Sequence, residues 1–232
     1  MLPIRDNVPT RTFPVVTAGL IAVNAAVWLL YELPNLDRSV QDLAFHPCEV
    51  NGSCAPGFHP DKGWVLTAIT SMFMHASWLH IAGNMLFLWI FGNNIEDALG
   101  KVRFLLWYLA AGVAATALQT FVTLTFGSVR DASIPNIGAS GAIAGVLGAY
   151  FLLLPRARVL TAFFLGIIFF REIPAIWFLG IWIALQLWQG GVGITHPDQT
   201  GGVAVFAHIG GFAFGLLTVY LVAKRRPLQP TY

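Results

Sequence analysis

Long apolar runs separated by short polar ones set the plan of this chain. The first run covers residues 13–33. A stretch rich in Pro, Gly, Asp and Asn follows at 34–63, too polar to cross a bilayer and too long for a simple turn. The next run, 64–93, begins irregularly near Trp64, passes through His80 and Asn84, and gives way to Asn94, Glu96, Asp97 and Lys101. Runs at 104–126 and 140–154 come next, the second stopped by Pro155, Arg156 and Arg158. Residues 174–189 contain Trp177, Trp182 and Trp188, a glycine-rich loop is expected over 190–202, and the last run, 203–223, ends at Lys224, Arg225 and Arg226. This pattern predicts six helices crossing a hydrocarbon core of about 30 Å. The apolar segment 159–170 stands apart: as a helix it would rise only about 18 Å, so it is expected to lie in the interface or re-enter.

Composition turns the pattern into a class. The chain is 56% hydrophobic and 10% charged, against about 25% charged in a typical soluble domain. The reading is an all-α polytopic membrane protein forming one domain over residues 1–232, with the lipid bilayer as its first partner. A net charge of +2 says little else about partners, and no nucleic acid is implied. The distribution of charge says more. Six spans put both termini on one side, and on that assignment Arg5, Arg11, Lys101, Arg103, Arg156, Arg158, Arg171, Lys224, Arg225 and Arg226 share it, ten of the thirteen Lys and Arg. Only Arg38, Lys62 and Arg130 fall outside, so the positive-inside bias makes the N and C termini cytoplasmic. The basic start before the first run is not expected to be a secretory signal, because no small-residue cleavage site follows and the run is long enough to span. Cys48 and Cys54 lie in the outer loop with His46 and His59; a disulfide, free thiols and a metal site are all open.

The candidate chemistry centres on Gly138-Ala139-Ser140-Gly141. A hydroxyl among glycines serves either close helix packing or a nucleophile that needs room. Depth helps decide. The second, fourth and sixth spans run in the same direction, and His80, Ser140 and His208 lie sixteen residues before Glu96, Arg156 and Lys224 respectively. At 1.5 Å per residue each is about 24 Å above the inner boundary, so three polar groups share one layer in the outer half. Histidines at such depth are costly and usually face a cavity or a partner. Small residues allow approach: Gly141, Ala144, Gly145 and Gly148 on the fourth span, Ala204, Gly211 and Gly215 on the sixth. Ser140 Oγ is therefore expected to reach His208.

Serine becomes a nucleophile when an adjacent base takes its proton, and histidine is the usual base. No third, orienting carboxylate is apparent, since Asp131 and Asp198 fall in outer loops and Glu96 and Asp97 at the inner boundary. His80 and Asn84, four apart on one helix face, can both donate hydrogen bonds. With the backbone N–H of Ser140 they would hold a developing oxyanion.

The ordered set Thr70-Ser71-Met72-Phe73-Met74-His75, then His80 and Asn84, then residues 92–100 (GNNIEDALG), then Gly138-Ala139-Ser140-Gly141, then Ala207-His208-Ile209-Gly210-Gly211 resembles the rhomboid intramembrane serine proteases in their six-span bacterial form. It is unlike a soluble hydrolase elbow, which would need glycine where Ala142 stands. The resemblance implies a rhomboid-like helical bundle with Ser140 as nucleophile, His208 as general base and acid, and His80, Asn84 and the Ser140 backbone as oxyanion donors. His75 takes a supporting role, with Gly138, Gly141, Gly211 and Gly215. No cofactor or metal is implied. Two positions depart from the pattern: Leu66 and Thr67 replace a Trp-Arg pair, and Ala144 replaces an aromatic ring that stacks on the base in some members.

The implied substrate is a single-pass or other transmembrane protein, cut near the outer face with a small residue before the scissile bond, in a bacterial cell (inner) membrane. Entry is expected past the fifth span at Trp177, Phe178 and Trp182, beneath a cap over residues 190–206. Two other readings compete, a catalytically silent relative that binds membrane helices and a small permease. The sequence leaves oligomeric state, regulation and natural substrate open.

Overall fold

The computed structural model describes residues 1–58, 62–195 and 204–224. Its axis is helix α8 (Ser140–Leu153), buried from Gly141 to Tyr150. α6 (Lys101–Phe126) lies against one side of it and α10 (Val205–Val222) against another. The sequence reason is the glycine and alanine content of α8. A Cβ on Gly145 would stand 2.7 Å from Ala111 Cβ of α6, and one on Gly215 would stand 2.1 Å from the Gly145 carbonyl oxygen. Backbones that close need hydrogen atoms in place of side chains. At 14 residues α8 is about 21 Å long, shorter than a hydrocarbon core of about 30 Å.

Around this centre stand α1 (Val15–Val27, continued by a π turn to Glu32) and α9 (Ala175–Thr195). Among the described residues, four stretches are long and apolar enough to cross a membrane: Val15–Glu32, Lys101–Phe126, Ala175–Ile194 and Val205–Val222. A fifth candidate is a broken pair, Trp64–Phe73 and Trp78–Leu99, bent by 82°. The chain is thus a polytopic, mostly helical membrane protein, and α8 accounts for the remaining apolar run.

Several expectations change. The run at 64–93 is two pieces: α3 (Trp64–Thr70), then α4 (Trp78–Phe87), which continues through a π turn into α5 (Asn93–Leu99). Ser77 starts α4, its Oγ accepting from the His80 N–H at 3.2 Å, which is how an N-terminal helix end is ordinarily closed. The segment 159–170 is not a helix. It forms most of a hairpin, β2 (Arg158–Leu165) and β3 (Ile167–Pro174), turning at Gly166 with φ +75°. β1 (Leu2–Asp6) adds antiparallel to β2, giving a three-stranded sheet in the order β1-β2-β3. The bundle is therefore not purely α. Phe164, Ile167, Ile168 and Phe170 near the hairpin tip are exposed. Finally, α9 runs on through Gly190–Gly193 where a loop was expected, and Val205 and Phe206 already belong to α10. The proposed cap over 190–206 is helix at both ends, and residues 196–203 lie outside the described residues.

The two ends are tied differently. At one, Glu96 of α5 accepts from the N–H groups of Val16 (3.1 Å) and Thr17 (2.7 Å) and from Thr17 Oγ1 (2.8 Å). A carboxylate there satisfies N–H groups that the first turn of α1 leaves without partners. Arg11 pairs with Asp97, the Lys224 N–H reaches the Ala98 carbonyl, and Tyr150 Oη donates to Asp6 of β1 at 2.5 Å. The basic residues 11, 103, 158 and 224 thus gather at this end.

At the other end, the short α7 (Val129–Ala132) follows α6, and the loop 34–63 contains α2 (Leu36–Leu43) and the Cys48–Cys54 disulfide. Phe45 bridges Asn136, and Thr70 Oγ1 donates to the Leu43 carbonyl at 2.9 Å. These contacts hold the loop where Leu66 is exposed and Thr67 buried. His46 Nδ1 meets Glu49 Oε1 at 3.0 Å, and His59 lies outside the described residues.

Candidate active site

Ser140 is the first residue of α8. The chain enters it through Gly138, whose φ of +121° is strained for any side chain and whose added Cβ would stand 2.8 Å from His80 Nε2. Glycine is needed here twice over, for the backbone conformation and for the imidazole beside it. The Gly138 N–H donates to the Ser71 carbonyl at 2.9 Å, fixing the approach. The first backbone bond of α8 is Ile143 N–H to Ala139 carbonyl. The N–H groups of Ser140, Gly141 and Ala142 consequently have no partner inside the helix, and the positive end of its dipole lies at the serine.

His208 sits one turn into α10. Its Nε2 is 2.8 Å from Ser140 Oγ, and its Nδ1 is 2.7 Å from Gln186 Oε1 of α9. The approach depends on the glycines. A Cβ on Gly211 would lie 2.0 Å from the Gly141 carbonyl oxygen, whereas the Cα–H faces of Gly141 and Gly145 point instead at Ala115 and Ala111 of α6. The small residues of α8 therefore serve two interfaces, where the sequence suggested one. Ala144 leaves His208 without a ring from α8, and α9 supplies one: the Trp182 ring centre is 5.7 Å from that of His208.

A cavity of about 560 Å³ opens beside the pair, lined by His80, Asn84, Ser140, Ala144, Trp182 and His208 among others. The three residues matched by depth do converge. Asn84 is 8% exposed and its Nδ2 has no hydrogen-bond partner; a donor left free in a buried cavity wall is available to a ligand. His80 Nδ1 accepts from the Ala76 N–H at 3.4 Å, which leaves the proton on Nε2, the nitrogen beside Gly138. His75 stays outside the cavity. It is fully buried behind His80, rings 5.0 Å apart, and its backbone N–H donates to Glu32 Oε1 at 2.7 Å. Gln186 is a site residue not foreseen from the sequence, where an orienting group is expected to be a carboxylate. An amide inside an otherwise apolar span was the available signal.

Residues 62–225 match the family model described as the Rhomboid domain. The mouse presenilin-associated rhomboid-like protein, mitochondrial, is 32% identical over 199 residues, covering 85% of this chain and 46% of its own length. Rhomboid protein 1, mitochondrial, of Saccharomyces cerevisiae is 27% identical over 211 residues, covering 89% and 53%. A rhomboid of Bacillus subtilis, YdcA, is 32% identical over 151 residues, covering 65% and 68%. The chain spans about half the length of the mitochondrial relatives it matches. With the family model covering most of the sequence, the chain belongs to the rhomboid family.

Proposed function

We propose that this protein is an intramembrane serine endopeptidase that cleaves transmembrane helices through Ser140 and His208. The observation that carries the reading is the 2.8 Å approach of Ser140 Oγ to His208 Nε2 at the wall of a cavity lined also by His80 and Asn84. His208 takes the serine proton as Oγ bonds to the scissile carbonyl carbon. The oxyanion is held by the Ser140 N–H, His80 Nε2–H and Asn84 Nδ2–H, three fixed donors in a site where each is worth about 10²- to 10³-fold in rate. When the C–N bond breaks, the imidazolium protonates the leaving amine. Water in the cavity then attacks the acyl-enzyme with His208 again as base, and Ser140 is restored.

The substrate class follows from the location. A helix has its backbone hydrogen bonds closed, so it must unwind locally before its carbonyl can reach Ser140, and helix-breaking residues near the cut favour this. We infer cleavage near the outer face, with a small residue before the bond, and entry past α9. There Trp177 faces outward at 65% exposure, Trp182 lines the cavity, and Phe178 is buried in the core rather than at the entrance. The proposed setting is a bacterial cell membrane, six spans with both termini cytoplasmic. The gathering of basic residues at one end of the bundle supports this orientation, and the Bacillus relative supports the compartment. A catalytically silent helix-binding relative would not need Ser140 and His208 in hydrogen-bond contact. The test is purified protein in liposomes with a transmembrane substrate: Ser140→Ala and His208→Ala each abolish cleavage, and cleavage persisting at the original rate in either refutes the dyad.

A further inference from the structure

We propose that Gln186 is the positioning residue of the Ser140–His208 pair, doing with an amide what a carboxylate does in a triad. This rests on the protease reading above. The Gln186 Oε1 to His208 Nδ1 distance is 2.7 Å, on the opposite edge of the imidazole from Ser140. An imidazole that donates from Nδ1 to an amide oxygen holds its lone pair on Nε2, which is the form able to accept the serine proton. It also fixes the ring plane, so that Nε2 stays aimed at Oγ. The amide oxygen stabilises the imidazolium formed during attack without placing a full negative charge in the bilayer, where a carboxylate is costly.

The packing around Gln186 is built for this contact. Trp182, Gln186 and Gly190 are spaced four apart and form one stripe of α9. Trp182 packs on His208 and Phe212, ring centres 5.7 and 6.1 Å apart. A Cβ on Gly190 would lie 3.2 Å from the Phe206 ring and 3.3 Å from Ile209 Cδ1, so the missing side chain lets α9 press against α10 one turn beyond Gln186. All three residues therefore set the register of α9 against the turn of α10 that bears His208. A consequence is that the alignment of the base depends on α9, the helix least buried among the four long candidate spans, and not only on the α8–α10 contact.

The test compares Gln186→Met, which keeps the length and loses the acceptor, with Gln186→Glu, which keeps an acceptor oxygen. For each, kcat and KM for a transmembrane substrate, the rate of fluorophosphonate labelling at Ser140, and the Tm in detergent are measured, with Ser140→Ala alongside. Gln186→Met is expected to lower kcat and the labelling rate about ten- to a hundredfold with KM and Tm little changed, and Gln186→Glu to recover most of the labelling rate. Wild-type kcat in Gln186→Met overturns the assignment, as does equal impairment of both variants in step with a fall in Tm, which is the signature of packing alone. If Ser140→Ala itself still cleaves, the protease reading fails; if it is dead while Gln186→Met is unaffected, only the role of Gln186 fails.

Discussion

Replacing Gly211 by alanine inserts one methyl group at the tightest point between α8 and α10. The new Cβ would stand 2.0 Å from the Gly141 carbonyl oxygen, against about 3.3 Å for an acceptable carbon–oxygen contact. The deficit of about 1.3 Å falls on backbone, which cannot rotate out of the way as a side chain can. If α10 retreats by that amount, the Ser140–His208 separation, now 2.8 Å and one turn distant, grows to about 4 Å, beyond hydrogen-bond reach. Overpacking of this kind costs about 1–3 kcal/mol in stability, and loss of positioned general-base catalysis costs about 10²-fold or more in kcat. The assay is cleavage of a transmembrane substrate in liposomes with Tm measured on the same preparations. Gly19→Ala is the control: Gly19 lies on the exposed face of α1 with nothing within 4 Å of an added Cβ, so it leaves kcat unchanged and stabilises by about 0.5–1 kcal/mol. Gly211→Ala with wild-type kcat and Tm would refute the claim that backbone contact sets the catalytic distance.

Two further outcomes follow from the end of the bundle that gathers the basic residues. Glu96→Ala leaves the N–H groups of Val16 and Thr17 without their acceptor and is expected to destabilise by about 2–4 kcal/mol, read as a fall in Tm with α1 the first segment to lose hydrogen-exchange protection; an unchanged Tm refutes the clasp. Burial pushes the Asp6 carboxyl up to about 6, against the lowering effect of the Tyr150 hydrogen bond. Its folded value lies above the unfolded one, so the stability it adds is present below about pH 4 and is lost as pH rises through 6, a change of about 3 kcal/mol at most. Asp6→Asn should flatten the Tm–pH curve over that window, and a curve identical to wild type contradicts the assignment.

How much the sequence revealed depended on whether a residue's chemistry was out of place in lipid. Ser140, His80 and His208 stand out in apolar runs, and the fixed rise of a helix turns their spacing into a depth, so their convergence could be foreseen without tertiary contacts. Gln186 is equally out of place, but a neutral amide gives no charge signal and its pairing with His208 depends on how α9 packs against α10. The hairpin at 158–174 is hidden because a twelve-residue apolar run does not by its length separate a short helix from paired strands. Gly166 divides the run 159–170 into apolar stretches of seven and four residues, short enough for strands joined by a tight turn. The break before α4 was hidden for a similar reason. Ser77 is an ordinary helix cap, yet inside an apolar run it reads as part of a continuous span. The second interface of α8, against α6, lay beyond sequence reasoning, since the glycines that serve it are the same type as those that serve α10.

The central claim is that Ser140 is a nucleophile activated by His208, and covalent labelling tests it most directly. Wild-type protein in native-like membranes is treated with a fluorophosphonate and digested, and the modified peptide is mapped. The account predicts one modified residue, Ser140, with labelling abolished in His208→Ala although the fold, judged by Tm, is retained. Labelling at another serine, or at Ser140 with undiminished rate in His208→Ala, would contradict it.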